Sequence, residues 1–151
     1  MSGKYGFLTE QQVKVLKLRS KGLSLRQIAE IMGTSHQNIA VAEKRALEKI
    51  RQAEKTILVY KLITSPIKIV IEENTRLIDI PRIIIDEADK KNIRVKGDFT
   101  LIYKILRYKT PDCIQGQKTV KPILVLVEQD GTINAYNYSD IEDLVKEIEE
   151  I

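Results

Sequence analysis

In the first third of the chain, apolar residues recur every three or four positions, in runs separated by glycine. Thr9-Glu10-Gln11-Gln12, Ser24-Leu25-Arg26-Gln27 and Thr34-Ser35-His36-Gln37 each match a capping box. In that motif a hydroxyl accepts from an orphan amide, and the Gln or Glu three residues on reaches back to another. Gly22 and Gly33 fall where the preceding helices should stop, because glycine enters the left-handed conformation at little cost. The pattern predicts helices over about 10–20 and 25–32, and a third from about 36. Their buried sides are expected at Val13, Leu16 and Leu18, at Ile28, Ala29 and Met32, and at Ile39 and Ala42. The link Gly33-Thr34 is short enough to make the second and third helices a helix-turn-helix. Ala29 is the small residue that lets them cross closely.

The third helix does not stop where a minimal unit would. Its apolar spacing continues through Ala46, Ile50, Ala53, Ile57 and Tyr60 until Thr64-Ser65-Pro66, where proline ends it. A helix of about 27 residues is roughly 40 Å long. Its exposed length is expected to pack on the second domain or on the same helix of another copy, and the spacing leaves both open.

Past Pro66 the period changes. Ile67 to Ile71 reads as a strand, and Pro81 opens a helix through Asp89. Asp98 to Arg107 fits helix or strand, and Tyr108 to Val120 reads as a loop. Ile123 to Glu128 and Ile133 to Tyr138 flank Asp130-Gly131, the pattern of a two-residue hairpin turn. Ser139-Asp140-Ile141-Glu142 would cap a last helix with Ile141, Leu144, Val145, Ile148 and Ile151 on its apolar stripe. The expected fold is α+β in two parts. Residues 1–64 form an all-α helix-turn-helix domain with an extended third helix, and residues 65–151 a small α/β domain for dimerisation or ligand sensing.

Charge separates the same two parts. Residues 1–56 hold 11 Lys and Arg against 5 Asp and Glu, and residues 57–151 hold 14 against 16. The basic part is where a polyanion is expected. In a helix-turn-helix the second helix of the pair enters the major groove and reads base edges with its first turns. With Ile39 and Ala42 inward, the base-reading candidates are His36, Gln37, Ala40 and Val41. His and Gln can hydrogen-bond base edges, and the two small apolar residues permit close approach to thymine methyls. Gln37 has a competing role, because closing a capping box with Thr34 would occupy it. Thr9, Ser24, Arg26, Ser35, Lys44 and Arg45 are the phosphate candidates, with Lys21 a further one.

Other chemistries have little to stand on. His36 is the one histidine and Cys113 the one cysteine, so neither a thiolate metal site nor an internal disulfide can form. The carboxylates Asp86, Glu87 and Asp89 read as the solvated side of a helix, and no glycine-rich phosphate loop occurs. Neither enzymatic activity nor a cofactor or metal is expected. The absence of an 18-residue apolar run or an apolar leader points to a cytoplasmic protein outside the membrane.

The stretch "FLTEQQVKVLKLRSKGLSLRQIAEIMGTSHQNIAVAEKRALEKI" resembles the helix-turn-helix of LuxR-type regulators and of sigma-factor region 4. Continued through Thr64-Ser65-Pro66 and Asp79-Ile80-Pro81 to about Thr100, the chain resembles the archaeal Tfx family of DNA-binding regulators. The resemblance implies a transcriptional regulator with an N-terminal reading head and a C-terminal α/β domain. The expected partners are double-stranded DNA and a second copy in a homodimer, with a small-molecule effector of the C-terminal domain as a further role. The competing class is a protein-binding adaptor of the transcription machinery that uses the same helices for docking. A nonspecific architectural DNA binder is the third.

Overall fold

The computed structural model describes residues 3–151. In chain order it contains α1 (Glu10–Ser20), α2 (Leu25–Met32), α3 (His36–Thr64), β1 (Ile67–Ile71), α4 (Ile80–Lys90) and α5 (Phe99–Lys109). There follow β2 (Ile114–Gln115), β3 (Lys118–Thr119), β4 (Ile123–Val127), β5 (Ile133–Asn137) and α6 (Tyr138–Glu149). Two compact units emerge, Met1–Leu58 and Val59–Ile151, and the boundary falls inside α3. No helix among the described residues is long and apolar enough to cross a membrane.

The first unit is built on local hydrogen bonds. Both expected boxes form at α1 and α2: the Thr9 amide donates to Gln12 Oε1 at 3.0 Å, and the Ser24 amide to Gln27 Oε1 at 2.8 Å. The Gln12 and Gln27 amides donate back to Thr9 Oγ1 and Ser24 Oγ, each at 3.2 Å. Gly33 ends α2 with φ +66°, and the Thr34 amide donates to the Ala29 carbonyl at 3.0 Å. The core is Val15, Ile28, Ala29, Ile39 and Ala42, with Leu18, Leu23, Leu25 and Met32 packed against it.

Val15, not Val13 or Leu16, is the fully buried apolar residue of α1. The inward stripe of this helix begins at a buried polar residue, Gln12, which a reading of apolar spacing passes over. Its burial is tolerated because Oε1 accepts from Thr9 and also from Lys49 Nζ, at 2.9 Å. Arg19 Nε donates to Glu43 Oε2 at 2.6 Å, tying α1 to α3. Along α3 the expected seam changes character: Ala46 is buried, Ile50 and Ala53 are half-buried, and Ile57 and Tyr60 are 54% and 67% exposed.

The second unit centres on a three-stranded antiparallel sheet in the order β1-β4-β5. Ile69 lies opposite Val125, which lies opposite Ala135. All five residues of β4 are buried. Ile123, Val125 and Val127 join a cluster with Ile80, Ile84 and Ala88 of α4 and Ile102 and Leu106 of α5. Leu124 and Leu126 point to the opposite face and are buried apart from that cluster.

Several local expectations for this unit are corrected. The Asp98–Arg107 ambiguity resolves to helix: Asp98 accepts the Leu101 amide at 2.9 Å, and Ile102 and Leu106 are buried four residues apart. Residues 108–120 are not one loop, because they include the end of α5, a 3-10 turn at Pro111–Cys113, and the β2–β3 pair. That pair is fastened at long range, with Thr119 Oγ1 donating to the Glu72 carbonyl at 2.7 Å and accepting the Thr75 amide at 2.9 Å.

The β4–β5 turn is longer than two residues. Glu128 N donates to the Thr132 carbonyl at 2.9 Å, closing a loop of Gln129, Asp130 and Gly131. Gly131, at φ +91°, is obligatory in this loop because a Cβ there would collide with the Arg94 carbonyl. α6 begins one residue before the proposed Ser139 cap, and its N-cap is Asn137, whose Oδ1 accepts the Ser139 amide at 3.1 Å. Cys113 is not a loop thiol. It is fully buried in the core, and burial raises its pKa.

Candidate nucleic-acid interface

The connection from α2 to α3 is Gly33, Thr34 and Ser35. The sequence places a capping box at Thr34–Gln37, but the cap forms one residue later. Ser35 Oγ accepts the Asn38 amide at 3.1 Å, and Asn38 Nδ2 donates to Thr34 Oγ1 at 2.9 Å. The competition for Gln37 is thereby decided. Asn38 holds the turn, and the Gln37 side chain stays exposed beside His36. A single-residue shift separates the groups that build the helix start from those that face outward.

Ile39, Ala42 and Ala46 fix the inward side of α3. At 100° per residue, Gln37, Val41 and Lys44 fall on the opposite side, with Ala40 at its edge. Val41 is 46% exposed, Ala40 is half-buried, and His36, Lys44 and Arg45 are exposed. Val41, Lys44 and Arg45 line one open groove together with Thr9, Gln12, Glu48 and Lys49. Of the phosphate candidates, Thr9 is therefore brought beside Lys44 and Arg45. Ser24 and Arg26 are exposed at the start of α2, outside that lining, and Lys21 lines a separate hollow with Lys14 and Lys17.

Thr9, Ser24 and Ser35 each use the hydroxyl oxygen as a cap acceptor. Their O–H groups remain available as donors, the role a phosphate oxygen requires. The groove also contains Lys49, which the sequence reading did not single out. Its signal was faint: an N3 glutamine with a spare lone pair on one helix, and a lysine 37 residues away. Glu48 borders the same groove and pairs with Arg51 at 3.4 Å.

The carboxylates of α4 have ordinary surface environments. Glu87 pairs with Lys90 at 2.8 Å, while Asp86 and Asp89 are exposed. No group of three or more His, Cys, Asp or Glu suited to a metal ion occurs among the described residues.

Comparison with known proteins matches two families in succession along the chain. Residues 7–52 match sigma-70 region 4, and residues 53–135 match the C-terminal region of the DNA-binding protein Tfx. A Methanocaldococcus jannaschii protein named "putative transcriptional regulatory protein" is 38% identical over 128 residues, covering 85% of this chain and 93% of its own length. A Pyrococcus furiosus protein with the same designation is 44% identical over 89 residues, 59% of this chain and 63% of its own. The DNA-binding protein Tfx of Methanothermobacter marburgensis is 30% identical over 127 residues, 84% of this chain and 92% of its own. With the Tfx model matching more than half the chain and full-length relatives of the same kind, the protein belongs to the Tfx family of DNA-binding transcriptional regulators.

Proposed function

We propose that the protein is a sequence-specific duplex-DNA-binding regulator that lays the first turns of α3 in the major groove and acts as a homodimer. The observation that carries this reading is the division of labour at the start of α3. Ser35 and Asn38 satisfy the helix start, which leaves His36, Gln37 and Val41 exposed as a contiguous set of base-edge groups. Lys44, Arg45 and Thr9 beside them supply cations and a hydroxyl for the backbone. The dimer has its support in Ile57, Tyr60 and Ile63, which leave an apolar strip uncovered along the end of α3. A two-fold pair would double both the bases read and the phosphates neutralised.

The test is selection of the purified protein on a random duplex library, followed by sequencing of what is retained. The expected outcome is an inverted repeat with half-sites about one helical turn apart. His36→Ala is expected to change which sequences are enriched, whereas Lys44→Ala should weaken binding to all of them and flatten the salt dependence. Retention without enrichment would make the protein an architectural binder. No retention, together with co-purifying polymerase, would make it an adaptor.

A further inference from the structure

The second unit is nearly neutral as a whole, but its charge is sorted along the chain. Residues 90–121 carry nine Lys and Arg against two Asp, and residues 122–151 carry one Lys against eight Asp and Glu. Three of the nine lie on α5, which holds Lys104, Arg107 and Lys109 and no acidic residue. The one carboxylate at its start, Asp98, is engaged as the N-cap.

Ile102 and Leu106 are buried, so Thr100, Lys104, Arg107 and Tyr108 share the opposite side of the helix. All four are exposed, Tyr108 at 80%, and Lys109 Nζ lies 5.4 Å from the Tyr108 ring centroid. Some other cations of this unit have carboxylate partners, among them Lys61 with Glu128, Lys90 with Glu87 and Lys96 with Asp130. Lys68, Arg82, Lys91, Arg94, Lys118 and Lys121 have none among the described residues, but these six are scattered over several elements rather than gathered on one helix face. Lys104, Arg107 and Lys109 have none within 4.0 Å among the described residues. Arg107 and Lys109 lie in the last turn, where the helix C-terminus favours cations. Lys104 and Arg107, three residues apart on one helix, nevertheless repel each other, and no ion pair within 4.0 Å among the described residues offsets that repulsion. A polyanion would. Arg107 can grip a phosphate with two parallel donors, Lys104 adds a point charge, and the Thr100 and Tyr108 hydroxyls can donate.

We propose that the outward face of α5 is a second, sequence-independent contact for the phosphate backbone of duplex DNA. It rests on the DNA-binding reading above and adds to it: the C-terminal unit contributes affinity, while the head supplies sequence preference. The chemistry recognised is the phosphodiester charge, so the face takes any duplex.

The test uses the full chain and a labelled duplex of unselected sequence, with affinity measured over a salt series. Three proteins are compared: wild type, Lys104→Ala/Arg107→Ala and Lys44→Ala/Arg45→Ala, each first checked by thermal melting. Two lost phosphate contacts should make the log–log salt slope shallower by about 1.8. Over a fourfold rise in salt the wild type should therefore lose roughly tenfold more affinity than the α5 variant. An unchanged slope in the α5 variant, with the α3 variant flattened, would overturn this proposal and leave the reading head standing. The converse would support α5 and count against the head. The acidic α6 of a second copy is the rival occupant. Salt-sensitive self-association without DNA, abolished by Lys104→Ala/Arg107→Ala, would overturn the proposal in its favour.

Discussion

The two units reach stability by opposite routes. The first has five buried core residues and is held by caps whose partners lie three residues apart in sequence. The second has fifteen in its main cluster and depends on strands distant in sequence, Ile69 pairing with Val125. A small core supplies little burial free energy, so in the first unit each local hydrogen bond and each glycine carries a larger share of the total. The arrangement suits the DNA-reading role proposed for this unit, which requires much of its surface to stay uncovered. The second unit can spend its surface differently, because burial of β4 from both sides already secures it.

The largest effect that would test this contrast is Ile84→Ala. Ile84 is fully buried in the larger cluster, and the substitution is expected to cost about 2–5 kcal/mol in chemical denaturation. If the loss appears as one transition for the whole chain, the units are a single cooperative block and the contrast fails. Next come two glycines. Gly131→Ala forces a Cβ against the Arg94 carbonyl as well as an unfavourable φ, whereas Gly33→Ala meets open space and should cost only about 1–2 kcal/mol from its left-handed backbone. Thermal melting should therefore rank Gly131→Ala as the more damaging, and the reverse order would show that the β4–β5 loop can shift. Ser24→Ala should cost about 1 kcal/mol through the lost cap, and Ser24→Gly only a few tenths. The smallest effect concerns Cys113. Its buried thiol should resist alkylation in the native protein and react only once denaturant is added, as mass spectrometry would report.

These expectations also mark what the sequence made legible. Helix starts at Thr9 and Ser24 could be read because donor and acceptor lie within one turn. The start of α3 near residue 36 was legible too, but its cap was misplaced by one residue because Thr34 and Ser35 are both competent hydroxyls. Only the fit of Asn38 to both of them decides between the two. Residues 108–120 were illegible for a different reason. Strands of two residues have no period to detect, and what fixes them is Thr119 reaching back to Glu72 and Thr75. The even charge balance of the second part hid its sorting, since α5 and α6 nearly cancel when counted together. Of the interface, the outward residues of α3 followed from Ile39 and Ala42 alone. The neighbourhood of Thr9, Lys49 and Arg45 required the packing of α1 on α3.

The cap at Ser35 and Asn38 bears on how such a protein can change over time. Ser35 and Asn38, with Thr34, hold the turn in place and Ile39 and Ala42 hold the core, whereas His36, Gln37 and Val41 are exposed and lie outside that core. His36, Gln37 and Val41 can therefore be exchanged one at a time without the chain passing through a sequence that cannot fold. If these residues read bases as proposed, a lineage can drift toward a new operator by single substitutions while each intermediate still folds. On that reading, the scaffold and its vocabulary interleave along one short stretch of chain and are separately heritable.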